Sequence, residues 1–381
     1  MNKPRDLFAG TVRVLSSYTL AAVIFMLLFL LTLFGTLEQR HASLSDVRAR
    51  YFDSPFFLTE YGIPLPGAYL LLCILFVNLA VGGMVRMRRT WSRVGIFAIH
   101  IGIALLLLSA LVERFTLERG MLHIWEGASG DEFLSTEDWD VTILEQLPEG
   151  RERVYTIPYE SLPAPGETAV FRAAGLPFDV ELSGFLRNCV PRAAPHGSDS
   201  TEGFVFVPRA PATREGEQNR PGITATLRTA NLRREALLWG VQLAPFVTTI
   251  DGRSWAVDLG PRAYPLPFTV ALRRFLHEMH PGTNVHAAFS SDVTRIEDNV
   301  AQDVHIKMNE PMRYRGYTFY QTNWGPQDDP NATKFYSVFE VVANPADRGP
   351  LIALIVIAVG LLVQMIRKLV LYIGAEGRRR A

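Results

Sequence analysis

The sequence predicts a membrane protein in which four transmembrane α-helices carry one large, mainly-β, sandwich-like extracytoplasmic domain. Three observations predict it. Long apolar runs are confined to the chain before residue 113 and after residue 349. The segment between them has no such run, but repeatedly alternates polar and apolar residues over short stretches broken by Pro and Gly, the pattern of half-buried strands. Lys and Arg cluster at three places beside the apolar runs, and such clusters fix the direction of insertion.

The chain of 381 residues is 48% apolar with 38 basic and 38 acidic residues, and a mean hydropathy of +0.12 is high for a soluble protein of this length. The charge balance carries no basic excess of the kind a nucleic-acid binder needs. Two cysteines, Cys73 and Cys189, stand far apart. They form no CxxC pair and no intradomain disulfide framework, which excludes a thiol oxidoreductase.

Four runs approach the roughly 20 residues needed to cross a bilayer core of about 30 Å. They are Tyr18 to Leu37, Gly67 to Val85, Val94 to Val112, and Pro350 to Ile366. The first is too long for a signal peptide and no small-residue cleavage site follows it, so it reads as a retained helix. Lys3, Arg5 and Arg13 precede the first span; Arg86, Arg88, Arg89 and Arg93 fill the short loop between the second and third; Arg367, Lys368 and Arg378 to Arg380 follow the fourth. Cytoplasmic segments hold such excess, so both termini are predicted to be cytoplasmic. The expected organisation is a membrane domain over residues 1–112 (helices 18–37, 67–85 and 94–112), a β-rich domain over 113–349, and a fourth helix (350–366) with a basic tail over 350–381. In a bacterium the β-rich domain is then periplasmic, beyond the cytoplasmic (inner) membrane.

Within that domain Trp139 to Leu144, Phe178 to Leu182, Ile223 to Leu227, Asp303 to Met308 and Tyr336 to Val342 read as strands. In the fourth of these, Val304, Ile306 and Met308 are expected to face inward. One short helix is expected near Val270 to Met279. Pro191 to Gly197 and Ala210 to Gly222 read as loops, and Arg187 to Pro221 as a polar insertion.

His100 is the only histidine inside a span, seven residues from Arg93 and hence roughly 10 Å deep. Two readings stand. A buried neutral imidazole makes a helix-to-helix hydrogen bond, or it serves as an axial ligand to haem iron. Gly95, Gly102 and Ser109 recur every seven residues as a small-residue stripe, and His100 lies roughly 140° from Gly95 around the helix. The stripe is therefore expected to pack within the chain while His100 points toward a partner. Asn78 in the second span reads as a packing hydrogen bond. His277 and His280, with Glu278 between and His286 nearby, have metal-ligand spacing if helical, but that spacing is common by chance and no further ligand cluster accompanies it. Asn309 to Gln321 holds no nucleophile and base pair. Its Asn309-Glu310-Pro311 fits a turn, and its aromatics fit a core hairpin; Tyr314 and Trp324 are candidates for an exposed docking face.

Three places resemble the ResB family of system II cytochrome c biogenesis. Leu33-Phe34-Gly35-Thr36-Leu37 is similar to the close of the family's first helix, although the usual Ile-Pro does not follow. Ala98 to Leu105 resembles its His-x-Gly third helix, with Gly120 to Gly127 as the first outer strand. Asn309, Pro311, Tyr314, Gly316, Tyr317, Phe319, Tyr320 and Gln321 match its most specific signature. The likeness is weak from about Asp131 to Pro265, and Asn344-Pro345-Ala346 stands where the family has Asp-Pro-Gly.

The resemblance implies a subunit that works with a separate ResC/CcsA-type membrane protein to export haem b and present it to apocytochrome c. His100 would then be an axial ligand to haem in transit, shared with the partner, and the signature a structural or partner-docking element. It implies a non-catalytic part of a haem-lyase complex, with proximity and orientation as its contribution. The alternative is a structural or haem b-carrying electron-transfer subunit of another membrane complex.

Overall fold

A computed structural model of the chain describes residues 10–42, 44–59, 62–85, 87, 90–148, 151–194, 201, 203–209, 219–279, 282, 286–327 and 332–380. The chain divides into two compact units, residues 1–117 with 343–381, and Glu118–Val342.

Among the described residues the first unit holds four helices long and apolar enough to cross a membrane. They are α1 (Tyr18–Glu38), α2 (Ala68–Asn78, continued as a π-helix over Leu79–Val85), α3 (Val94–Thr116) and α4 (Gly349–Arg380). The protein is thus a multi-pass membrane protein. Ser17 caps α1, its hydroxyl accepting from Leu20 N at 3.1 Å. Between α1 and α2 the chain doubles back through a π-helix at Arg48–Asp53 and a small hairpin, β1 (Phe56–Leu58) with β2 (Pro64–Pro66). Ile24, Leu31, Val47, Tyr51, Phe57, Leu71 and Leu75 bury one core there. Gly35 belongs to that packing, because a Cβ on it would stand 3.2 Å from the Phe52 ring. Glu38 then receives Arg50 at 2.9 Å and the Tyr51 hydroxyl, so a carboxylate ending an apolar helix is neutralised by the returning loop.

The small-residue stripe of α3 meets α4. An added Cβ would lie 2.6 Å from Gly360 O at Gly95 and 2.9 Å from Ala353 O at Gly102, while Ser109 abuts Gly349. Close backbone approach of this kind is what drives helix association where lipid removes the hydrophobic incentive. Outward-facing side chains such as Phe25, Phe29, Leu354 and Leu362 remain exposed, as a lipid-facing surface requires.

In the second unit Arg253–Met279 pairs antiparallel with both Ser129–Gln146 and His286–Glu297. Its main sheet runs β15 (Val300–Lys307), β14 (His286–Glu297), β13 (Arg253–Met279), β4 (Ser129–Gln146), β3 (Glu118–Trp125), β18 (Tyr336–Ala343), β17 (Tyr317–Gly325) and β16 (Met312–Tyr314). On its flanks, β5 (Glu152–Ile157) pairs with β4 and β12 (Phe246–Ile250) with β13. A second sheet is ordered β11 (Arg233–Trp239), β10 (Gly222–Arg228), β7 (Asp179–Leu186) and β6 (Thr168–Phe171). The long strands β4 and β13 run through two cores. One core is a sandwich in which Val180, Leu182, Ile223 and Leu238 of the smaller sheet meet Val141, Ile143, Trp255 and Val257. The other lies inside the curled main sheet, around Phe133, Phe268, Phe319 and Phe339. Curling brings opposite ends of that sheet together. Ser291 on β14 donates to Gln321 Oε1 on β17 at 2.6 Å and lies 2.7 Å from the Ser337 hydroxyl, all three residues buried.

The strands expected at 139–144, 178–182, 223–227, 303–308 and 336–342 coincide with β4, β7, β10, β15 and β18, Phe178 lying just before β7 and Met308 just after β15. Four details differ. Val270 to Met279 is the last third of β13 and not a helix, because it pairs with β14 from Thr269↔Ile296 to Met279↔His286. The polar stretch Arg187 to Pro221 contains a hairpin, β8 (Cys189–Ala193) with β9 (Phe204–Pro208), so Pro191 sits in an edge strand, where a missing N–H is tolerated. Met308 is exposed, since it occupies the turn after β15. Finally, α4 continues past Ile366 to Arg380, with Arg367 donating to the Ser92 carbonyl.

Candidate functional site

His100 lies in α3 one turn after Ile96, whose carbonyl is 2.7 Å from Nδ1. A carbonyl only accepts, so Nδ1 carries a proton, and in the uncharged tautomer the lone pair is on Nε2. Nε2 has no hydrogen bond among the described residues. The ring is half-buried, its Cδ2 edge laid against the backbone of Gly83, where a Cβ would stand 2.5 Å from Cδ2 and 3.1 Å from Nε2. The imidazole thus leans on α2 of its own bundle along its Cδ2 edge, whereas from the sequence His100 is expected to point toward a partner.

The π-helical end of α2 is itself fixed. Asn78 Nδ2 donates to Leu15 O at 2.7 Å and Ser17 O at 3.1 Å, satisfying the two backbone carbonyls at the break before α1. Gly82 sits against Ser16, with 3.1 Å from its added Cβ to Ser16 O. A ring whose Nδ1 donates to a backbone carbonyl, with Nε2 not hydrogen-bonded among the described residues, is the arrangement that metal-ligating histidines use. The residues present fit an axial ligand to haem iron.

The signature residues lie in the second unit, and most of them shape its core. Asn309 takes the left-handed conformation (φ 65) in the turn joining Lys307 to Glu310, which Asn tolerates better than other side chains. Arg315 and Gly316, at φ 48 and 85, make the two-residue turn between β16 and β17, a type I′ hairpin. Tyr314 hydrogen-bonds Glu297 and lies under the Arg295 guanidinium, 3.3 Å from its ring centroid. Tyr317 and Phe319 pack edge-on or tilted against Phe268, and Gln321 joins the buried serine pair. Pro311 and the exposed Tyr320 border a cavity of about 420 Å³ with Lys307 and Arg313. Trp324 is 7% exposed and stacks on His277 at 5.3 Å and on Phe275 at 5.0 Å. It is a core residue and offers no docking face. His277 is on a strand, so the helical i, i+3 spacing behind a metal site does not exist; His280 lies outside the described residues, as does the side chain of His286. Among the described residues no group of three or more His, Cys, Asp or Glu has metal-site geometry.

Charge in this unit is organised around strands β4 and β13. Arg262 grips Asp140 through Nε and Nη2 (3.0 and 2.9 Å) and Glu160 through Nη1 and Nη2 (2.9 and 2.8 Å). These bonds hold the Glu160 carboxyl at about 2, whereas burial pushes Asp138 above the usual carboxylate range. Glu145, 0% exposed, is answered by Arg153 and Arg253 at 3.1 and 2.9 Å. The fully buried Cys189 thiol is pushed up to about 11 by burial, which makes it an unreactive thiol.

Four membrane helices with a single histidine among them, carrying a large β-domain, define the class: a multi-pass membrane protein with a β-rich domain. Within that class the chain belongs to the ResB-like family, whose model matches residues 83–356. It is 23% identical to protein NrfI of Wolinella succinogenes over 322 residues, 82% of this chain and 31% of NrfI. Over 75 residues it is 39% identical to the cytochrome c biogenesis protein CcsB of Nostoc sp. and 37% to that of Trichormus variabilis, in each case 18% of this chain and 16% of the relative. The chain thus spans less than a third of the length of each of these relatives.

Sequence reasoning singled out His100, Asn78 and the α3 stripe but missed Gly83. The Gly82-Gly83 pair inside an apolar run is the signal that finds it, because adjacent glycines in a membrane helix mark close approach of a neighbour.

Proposed function

We propose that this protein is an assembly factor for c-type cytochromes. With a separate ResC/CcsA-type polytopic partner it moves haem b across the bacterial cytoplasmic membrane and brings it to the Cys-x-x-Cys-His of apocytochrome c. His100 contributes one axial ligand from within the bilayer. The β-domain lies on the periplasmic side, with both termini cytoplasmic, as the Lys and Arg clusters beside the spans support. The observation that carries this reading is the Nδ1 bond to Ile96 O, which occupies one ring nitrogen and leaves Nε2 without a hydrogen bond among the described residues. Membership of the ResB-like family and similarity to proteins named for cytochrome c biogenesis support it independently.

Haem is here a transported substrate, and the bound iron supplies only a Lewis-acidic centre for the imidazole to hold. The chain's own part is to present that nitrogen, exclude bulk water around it, and keep haem and polypeptide close in space. The test is holocytochrome c yield in cells expressing the His100→Ala chain, with membrane insertion and partner binding monitored in parallel. Loss of holocytochrome with the chain inserted and partner-bound is expected. Unchanged yield contradicts the reading.

A further inference from the structure

We infer that Gly83 is a positioning residue for His100: the π-helical end of α2 holds the imidazole by bare backbone contact, so that the absent side chain at 83 sets where Nε2 stands. This rests on the axial-ligand reading of His100.

Two contacts locate the ring. The Ile96 carbonyl takes the Nδ1 proton at 2.7 Å and fixes the tautomer. The backbone of Gly83 bounds the opposite edge, since a Cβ there would lie 2.5 Å from Cδ2, 3.1 Å from Cγ and 3.1 Å from Nε2. Real Cβ atoms essentially never come within 3.0 Å of a neighbour, so a methyl at this position must displace something. The helix is poorly placed to yield. Asn78 binds Leu15 O and Ser17 O at the point where α-helix becomes π-helix, and Gly82 is pressed against Ser16. Both contacts back the segment onto the break before α1. The imidazole is a single side chain hinged at χ1 and χ2, so it is the part that moves. A methyl 3.1 Å from Nε2 also occupies ground that any ligand at that nitrogen needs. Short π-helical stretches are rare and concentrate at functional positions because the wider turn re-aims the residues that follow. Here that turn delivers Gly83 to His100.

The experiment uses the full chain co-expressed with its partner and purified as the complex, comparing wild type, Gly83→Ala, His100→Ala and the double variant. Gly374→Ala is the control, being a helix glycine in the same unit with nothing within 4 Å of its added Cβ. Haem content is measured as pyridine haemochrome and ligation by the absorption-band positions of the bound haem. Loss of a group that orients a metal ligand weakens binding roughly 10- to 100-fold, so Gly83→Ala is expected to lose most of its haem or to shift its bands, with Gly374→Ala unchanged. A haem-independent readout runs beside it: Gly83→Ala should lower the thermal midpoint in the His100 chain and leave it unmoved in the His100→Ala chain, where the ring is gone. Wild-type haem content and bands in Gly83→Ala, with haem lost from His100→Ala, overturn the Gly83 inference alone. An equal drop in midpoint with and without the ring overturns it too. Haem retained by His100→Ala instead overturns the axial-ligand reading.

Discussion

Ser291 donates its hydroxyl to Gln321 Oε1 at 2.6 Å across the mouth of the curled sheet. That bond uses the one proton Ser291 has, so Ser337 donates to Ser291 in turn at 2.7 Å. Gln321 closes the chain by giving its Nε2 to Asn323 O at 3.0 Å. Replacing Gln321 by Leu leaves the Ser291 hydroxyl buried without its acceptor, at about 1–3 kcal/mol. Chemical denaturation of the detergent-solubilised protein, followed by Trp fluorescence, should show that loss, with Gln321→Glu no better because it buries a charge.

The Arg315-Gly316 turn makes a second prediction. Gly316 sits at φ 85, and an L side chain in the left-handed region is destabilised by roughly 1–2 kcal/mol, more for a β-branched one. Gly316→Val is expected to lower the thermal midpoint of the protein clearly more than Gly316→Asn, since Asn adopts this conformation more readily. Equal effects would show that the turn carries no backbone constraint.

A third concerns pH. The Arg262 guanidinium holds Glu160 down to about 2 from its ordinary 4.5. A carboxyl lowered on folding contributes stability that is fully present above 4.5 and is lost as pH falls toward about 2. Glu160 is largely exposed, so solvent screening keeps the contribution small. In Glu160→Gln the part of the acid-induced fall in midpoint over that window that belongs to this group should be absent. Asp138 shifts the opposite way because burial dominates there, which makes the single variant cleaner than removal of the whole cluster.

In the membrane unit, Gly102 is closed in by Ile357 and the Ala353 carbonyl, its added Cβ falling 2.5 and 2.9 Å from them. Gly102→Leu should separate α3 from α4 and lower the thermal midpoint, whereas Gly374→Leu, with open space around it, should not. Asn78→Leu removes two interhelical hydrogen bonds of near-isosteric volume and is expected to destabilise by roughly 0.6–2 kcal/mol.

The spans were legible because hydropathy integrates over a whole helix, and the α3 stripe because small residues at seven-residue spacing meet whatever helix lies opposite, here α4. The far end of α4 was not, since Arg367 and Lys368 read as the end of a span although a helix emerging from a membrane has no reason to stop there. Strands with unbroken alternation, such as Tyr336 to Val342, could be read directly. Val270 to Met279 could not, because a register shift between Leu272 and Arg274 makes the buried positions 270, 272 and 275, and such a bulge imitates helical spacing. Asp251-Gly252 and Asp298-Asn299, both at positive φ, are hairpin turns whose chemistry was there to be used. For the site itself, sequence located His100 but not what bounds it, since the contact with Gly83 depends on the local winding of a second helix.

The proposed haem ligation by His100 Nε2 is tested most directly by chemical rescue in the purified complex of the chain and its proposed partner. His100→Gly should lose the bound-haem absorption bands of the wild-type complex, and added imidazole, diffusing into the vacated space, should restore them. Full haem content and unchanged bands in His100→Gly without imidazole would show that His100 does not ligate the haem.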